Sequence, residues 1–222
     1  MLKMRIGWFV LASIAALLAG CSAIPSSLES KGSQPAGVIP AIPGPVPVAL
    51  DSRSSALLVL DINSAVCQPT PACIATVPAI AALLKRARAA KIPVVYSTTG
   101  SPTGPAPILA AVAPLPGEPV VPARADKFID TNLEELLKQR KATTLIMAGS
   151  AANGAVLYTA FHANARGFTV VVAEDGISSR ESINTVLTRH QLLNQPGFTN
   201  AGNKPLAERM VTLSRSDLIT FK

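Results

Sequence analysis

The sequence predicts an α/β fold, a three-layer α/β/α domain on a mainly parallel sheet. Three observations carry this. Short apolar runs such as Ala56–Leu60, Thr143–Ala148 and Phe168–Ala173 lack the alternation of a half-wetted strand and fit strands buried on both faces. Between them lie stretches of helical apolar spacing, of which Ile74–Ala90 (Val77, Ile80, Ala81, Leu84, Ala87) is the longest. The strict alternation of the two kinds asks for right-handed crossovers and helices on both faces of one sheet.

The chain has 222 residues, enough for one domain with a real core and additional tether. Residues 1–20 fit an export signal: Lys3 and Arg5 precede an apolar run from Trp8 to Leu18 that is shorter than the ~20 residues of a membrane span. Leu18-Ala19-Gly20-Cys21 resembles the lipobox of bacterial lipoproteins. That resemblance implies a diacylglycerol on the Cys21 thiol, cleavage before Cys21, and a membrane partner through the lipidated residue. Ser22 follows, with no aspartate to suggest inner-membrane retention, so the expected address is the cell envelope, periplasm-facing, at the outer rather than the inner membrane. Residues 21–53 are rich in Pro, Ser and Gly and are expected to be an extended tether, with the folded domain at 54–222.

Along that domain, Ala56–Leu60 is a buried strand ended by Asp61. Cys67 and Cys73 enclose Pro69 and Pro71; outside the cytoplasm this spacing suits a small disulfide loop, with free buried thiols as the alternative. A zinc site is disfavoured because no histidine lies nearby. The helix 74–90 leads to a strand at Pro93–Ser97, and residues 98–119, dense in Pro and Gly, are expected to be loop. Thr131, with Glu134 three residues on, has the pattern of a capping box for a helix reaching Arg140. The strand Thr143–Ala148 exits through Gly149–Ala152, Asn153 can cap a helix to Arg166, and Gly167 ends it. A strand at Phe168–Ala173, a turn at Asp175-Gly176, a helix over 180–193 and a strand at Met210–Leu213 complete the alternation of a Rossmann-like domain.

The formal charge is +7, but the basic residues are scattered. Lys85, Arg86 and Arg88, like Lys138, Arg140 and Lys141, sit near expected helix ends and serve as solvated faces. No basic stripe is interleaved with aromatics, so no nucleic-acid partner is expected; attraction to anionic headgroups is weak.

In open parallel sheets, ligands bind beyond the carboxyl ends of the strands. This marks Asp61, Ser97–Gly100, Gly149–Asn153 and Asp175 for one cleft. Ala56-Leu-Leu-Val-Leu-Asp61 and Thr144-Leu-Ile-Met-Ala-Gly149, with the following Ser150–Val156, Tyr158–Phe168 and Val170–Asp175, resemble the core signature of the isochorismatase-like hydrolases. The match covers most of residues 55–180. It implies that family's chemistry: an aspartate base, a lysine, and a cysteine near the start of the helix after the fourth strand, where the helix dipole and backbone N–H groups favour a thiolate. The nucleophile position falls on Ala155, whose methyl group cannot attack. Asp61 is retained as acid or base, or as a structural acceptor. The usual lysine lies further upstream, near Pro122; Lys127, in Asp126-Lys127-Phe128, takes its place only if the loop is reshaped, and Arg124 is another cation in reach. Ser150 can bond a ligand or simply close its turn, and the backbone around Asn153 can hold an anionic group. His162, about two turns beyond Ala155, and His190 are expected to be structural.

No cofactor or metal signature is visible, and the expected partner besides the membrane is a small molecule. The resemblance also implies self-association, since relatives often form homo-oligomers. Isochorismatases within the superfamily hydrolyse a vinyl ether with the aspartate as proton donor and no cysteine. Three functions follow: a small-molecule hydrolase without a cysteine nucleophile, a catalytically inactive protein that binds a small ligand, or a structural envelope lipoprotein.

Overall fold

Val48–Leu50 forms β1 and Ser55–Leu60 β2; the short helix α1, Ser64–Cys67, then leads into α2, Pro71–Ala89. The computed structural model describes residues 40–101 and 104–222. The leader, Cys21 and the tether up to residue 39 lie outside the described residues. Next come β3, Val94–Thr98, and the two-residue strands β4, Gly100–Ser101, and β5, Gly104–Pro105. Then follow β6, Val120–Pro122, α3, Leu133–Gln139, and β7, Thr144–Ser150. A π turn, Ala152–Val156, opens onto α4, Leu157–Ala165. The chain ends with β8, Thr169–Ser178, α5, Ser182–Leu193, β9, Val211–Ser214, and β10, Ile219–Phe221.

Six strands pair in the order β6-β3-β2-β7-β8-β9, and every pairing is parallel. The apolar runs supply both faces. Leu58, Leu60, Met147, Val170 and Val172 pack toward α3, α4 and α5, with Leu137, Ala160 and Leu192. Leu57, Val59, Ile146, Ala148 and Val171 pack toward α2, with Ile80, Leu83, Leu84 and Ala87. The predicted three-layer α/β architecture is therefore the observed one, and the carboxyl ends of β2, β3 and β7 meet at one rim.

Several local expectations are corrected. Residues 46–53 are not tether: β1 pairs in parallel with β10, and the Val46 N–H donates to the Leu213 carbonyl at 3.0 Å. The domain thus begins before residue 54, because the alternate side chains of Val48 and Leu50 are buried. The stretch 98–119 is not all loop, since β4 pairs with β5 and Ala110–Val112 forms a 3₁₀ turn. The capping box is absent. Helix α3 starts at Leu133, one residue later than that box requires, and Glu134 pairs with Lys138 and Arg166 instead. Asn153 caps no helix, because the chain enters the π turn at Ala152; its side-chain oxygen accepts from the Ser179 hydroxyl at 2.9 Å. Asp175-Gly176 makes no turn, since β8 runs on to Ser178 with a register shift opposite Met147–Gly149. Cys67 and Cys73 are joined by a disulfide, Cα–Cα 5.0 Å, which ties the end of α1 to the first turn of α2.

Candidate active site

Asp61 follows the last residue of β2 with φ of +54°, a left-handed conformation that is uncommon for a residue with a side chain. Its N–H donates to the Ser97 carbonyl on β3 at 3.2 Å, and its carboxylate turns into the rim rather than the core. Both oxygens are bonded. Oδ1 accepts from the Ser97 hydroxyl at 2.7 Å and Oδ2 from Lys127 Nζ at 2.6 Å.

Lys127 is fully buried. Its ammonium also donates to the carbonyl oxygens of Ala123, at 3.5 Å, and Arg124. The stem is held by its own backbone: Lys127 N–H donates to Thr159 Oγ1 at 3.2 Å, and its carbonyl accepts from Thr131 Oγ1 at 2.6 Å. The Thr131 hydroxyl thus fastens the loop that carries Lys127. This is how the lysine reaches Asp61 from its downstream position.

Burial pushes the Asp61 carboxyl above the ordinary carboxylate range, against the pull of Lys127 and Ser97. Burial likewise brings the Lys127 ammonium below the usual lysine value, against the pull of Asp61. Burial thus works against both charges, and the contact between them works to keep them.

Asp61 borders a cavity of about 500 Å³, with Lys127 buried behind it. Asp61, Thr99, Arg124, Ser150, Gly154 and Ala155 line it. Ala155 presents a methyl group, and the two cysteines among the described residues are bonded to each other. Ser150 is at the cavity, but its hydroxyl donates to the Ser178 carbonyl at 3.1 Å. The Ser150–Ala151 peptide is cis. Asn63 is buried beside the site, donating to the Thr98 and Thr99 hydroxyls at 3.2 Å each while its oxygen accepts from Val66 N–H.

The structure therefore gathers Asp61, Lys127, Ser150 and Ala155. It leaves out Asn153, which turns to Ser179, and Asp175, whose carboxylate accepts from the Ser216 N–H and hydroxyl at 2.7 and 2.6 Å. Ser97, marked for the cleft by its place at the end of the neighbouring strand, does lie there, and what the sequence does not signal is its specific bond to the Asp61 carboxylate. His162 is not isolated either, since its Nδ1 meets the buried carboxylate of Asp126. No group of acidic, cysteine or histidine side chains among the described residues is arranged to hold a metal.

The isochorismatase domain family matches residues 55–194. A secreted isochorismatase effector of Verticillium dahliae is 33% identical over 114 residues, 47% of this chain and 60% of the relative. An N-carbamoylsarcosine amidase of an Arthrobacter species is 39% identical over 70 residues, 31% of this chain and 26% of that protein. The chain thus spans less than two thirds of the length of these curated relatives. Among solved structures, N-carbamoylsarcosine amidase from Thermoplasma acidophilum superposes with a TM-score of 0.63 at 21% identity, covering 74% of this chain and 97% of the other. A cysteine hydrolase from Pseudomonas syringae pv. phaseolicola superposes with 0.66 at 17% identity, covering 78% and 94%. At these identities the superpositions bear on the fold alone.

Proposed function

The chain belongs to the isochorismatase family, and from that membership we propose that it is a small-molecule hydrolase whose reaction centre is the Asp61–Lys127 pair and whose nucleophile is water rather than a cysteine. The observation that carries the reading is the 2.6 Å contact between Lys127 Nζ and Asp61 Oδ2 beside a cavity into which Ala155 brings only a methyl group. A thiol mechanism has no thiol to start from there. Proton donation remains available to Asp61, because burial raises its carboxyl above the ordinary carboxylate range.

The reaction suited to such a centre cleaves an acid-labile bond, such as that of a vinyl ether. Asp61 donates its proton to the terminal carbon of the double bond. Water adds to the resulting oxocarbenium carbon, the proton it sheds returns to the Asp61 carboxylate, and the hemiketal breaks into an alcohol and a ketone. Lys127 steadies the carboxylate while it is charged, and Ser97 holds its other oxygen in place.

We place this domain at the cell envelope on a lipid carried by Cys21, a reading supported by residues 1–21 alone. Mass measurement of the mature chain tests it: an acylated Cys21 at the first position agrees, and an unmodified leader does not.

The deciding experiment is a hydrolysis screen of the full chain against amides, esters and vinyl ethers, with Asp61→Asn beside it. Turnover that falls by about 10²–10⁴ in the variant supports the proposal. Turnover untouched by the substitution removes Asp61 from the chemistry. No turnover from a folded protein transfers the reading to a small-ligand binder or a structural envelope lipoprotein, which the missing thiol equally allows.

A further inference from the structure

Next to the Asp61 cavity, the loop after β6 and the outer face of α4 enclose a second hollow of about 580 Å³. Tyr158, Phe161 and His162 are three and four residues apart and so share one helix face. Arg124, Asp126 and Ile129 stand across from them. Ile129 is 54% exposed and Tyr158 51%, an apolar surface left open beside a polar floor.

That floor is a built arrangement. Asp126 is only 6% exposed, and a carboxylate so deep must be bonded. Oδ1 accepts the Phe128 N–H at 2.9 Å, and Oδ2 meets His162 Nδ1. Two bare acceptors repel each other, so Nδ1 donates to Asp126, and in that Nδ1–H tautomer Nε2 is an acceptor. Among the described residues nothing occupies that acceptor. The Asp61–Lys127 pair uses none of these side chains.

We infer that this hollow is a second binding site, for a flat apolar molecule that carries a hydroxyl group, a phenol. The ring lies against Tyr158, Phe161 and Ile129, and the hydroxyl donates to His162 Nε2 while Asp126 holds the imidazole in place. The volume suits one or two rings. The hydroxyl proton is what selects the ligand. An aryl ether fills the same walls but leaves the imidazole acceptor unmet.

The test is a titration of the full chain, labelled at histidine rings and at isoleucine and alanine methyls, followed by NMR. The chain has two histidines, so loss of one ring signal in His162→Gln assigns the other. Phenol is expected to shift the His162 ring and the Ile129 methyl saturably. Anisole, which lacks the donor, is expected to bind roughly five- to tenfold more weakly. Tyr158→Ser, a change on the exposed wall, is expected to weaken phenol by roughly fivefold. The inference is overturned by a His162 signal that does not move, by anisole matching phenol, or by full affinity in Tyr158→Ser. It is overturned also if the Ala155 methyl moves in place of Ile129, which puts the ligand in the Asp61 cavity. A dimer in sedimentation that Tyr158→Ser dissociates makes this face a contact between copies and equally removes the ligand.

Discussion

Lys127 has given up its hydration shell completely, and only Asp61 and two carbonyl oxygens replace it. Removing one member of such a pair strands the other as a buried charge, at a cost of about 3–5 kcal/mol, whereas replacing both by apolar groups is often neutral. Lys127→Met is therefore expected to lower unfolding stability by that amount at neutral pH, and Asp61→Leu in the same chain to restore most of it. The loss in Lys127→Met depends on pH in a definite direction. Burial raises the folded-state Asp61 value above the 3.8 of an open aspartate, and removing the cation takes away the main opposing pull. A group with a raised folded value contributes its full stability below the unfolded value and loses it as pH rises through the folded one. The deficit of Lys127→Met relative to the parent should thus nearly vanish below about pH 4 and grow above it. Urea unfolding across that range measures it, and a deficit that grows in acid contradicts the burial argument. Asp61 was legible in the sequence because a strand end fixes where its side chain goes. Lys127 was legible only as a candidate. Its reach depends on the loop path from Ala123 to Lys127, and that path is set by contacts distant in sequence, Asp126 with His162 and Lys127 with Thr159. His162 was read as structural from its distance along the helix, which does not reveal what a neighbouring loop lays against it.

The elements follow the same division between local pattern and tertiary contact. Continuous apolar runs located β2, β7 and most of β8, since burial on both faces leaves no polar positions to confuse the period. The same logic failed at Asp175-Gly176, where turn chemistry suggested a break. There β8 continues across its register shift, and a side chain at Gly176 would come within 3.0 Å of Ala148 Cβ. Gly149 has a stricter reason to be glycine. A Cβ there would lie 2.2 Å from the Leu60 carbonyl oxygen and 2.6 Å from Leu60 Cβ, which is backbone and root rather than a movable tip. Leu60 immediately precedes Asp61, so any strand separation at this point also displaces the carboxylate. Gly149→Ala is expected to cost at least about 1–3 kcal/mol, the range of overpacked cores, and to reduce turnover more than stability alone explains. Thermal melts and steady-state rates on the same preparation check both halves. Unchanged turnover in a folded Gly149→Ala chain would disconnect the β2–β7 contact from the site.

At the scale of the whole molecule, the two ends of the described domain close on each other. Val48, Ala49 and Leu50 pair with Ile219, Thr220 and Phe221, the Lys222 N–H donates to the Leu50 carbonyl at 2.9 Å, and the Ser214 hydroxyl donates to the Val46 carbonyl at 2.7 Å. Composition hid this, because Pro43, Pro45 and Pro47 mark a tether by every local rule. Those prolines alternate with Ile42, Val46 and Val48, however, and proline is tolerated at a sheet edge where its missing N–H faces away from a partner. The segment therefore keeps the donors it needs and buries Val48 and Leu50 against the α2 face of the sheet. Each of those side chains contributes about 1.5–3 kcal/mol on burial, and Ile219, now fully buried, would be uncovered without them. A chain cut to 54–222 should then lose about 3–6 kcal/mol relative to one cut to 40–222. Because whole domains of this kind are stable by only about 5–15 kcal/mol, the shorter piece should stand near the edge of unfolding while the longer one folds. Urea midpoints of the two pieces decide the matter. A clear drop for 54–222 makes the proline-rich segment a strand of the domain, and equal midpoints would mean that β1 merely rests on β10 and that the tether extends to residue 53 after all.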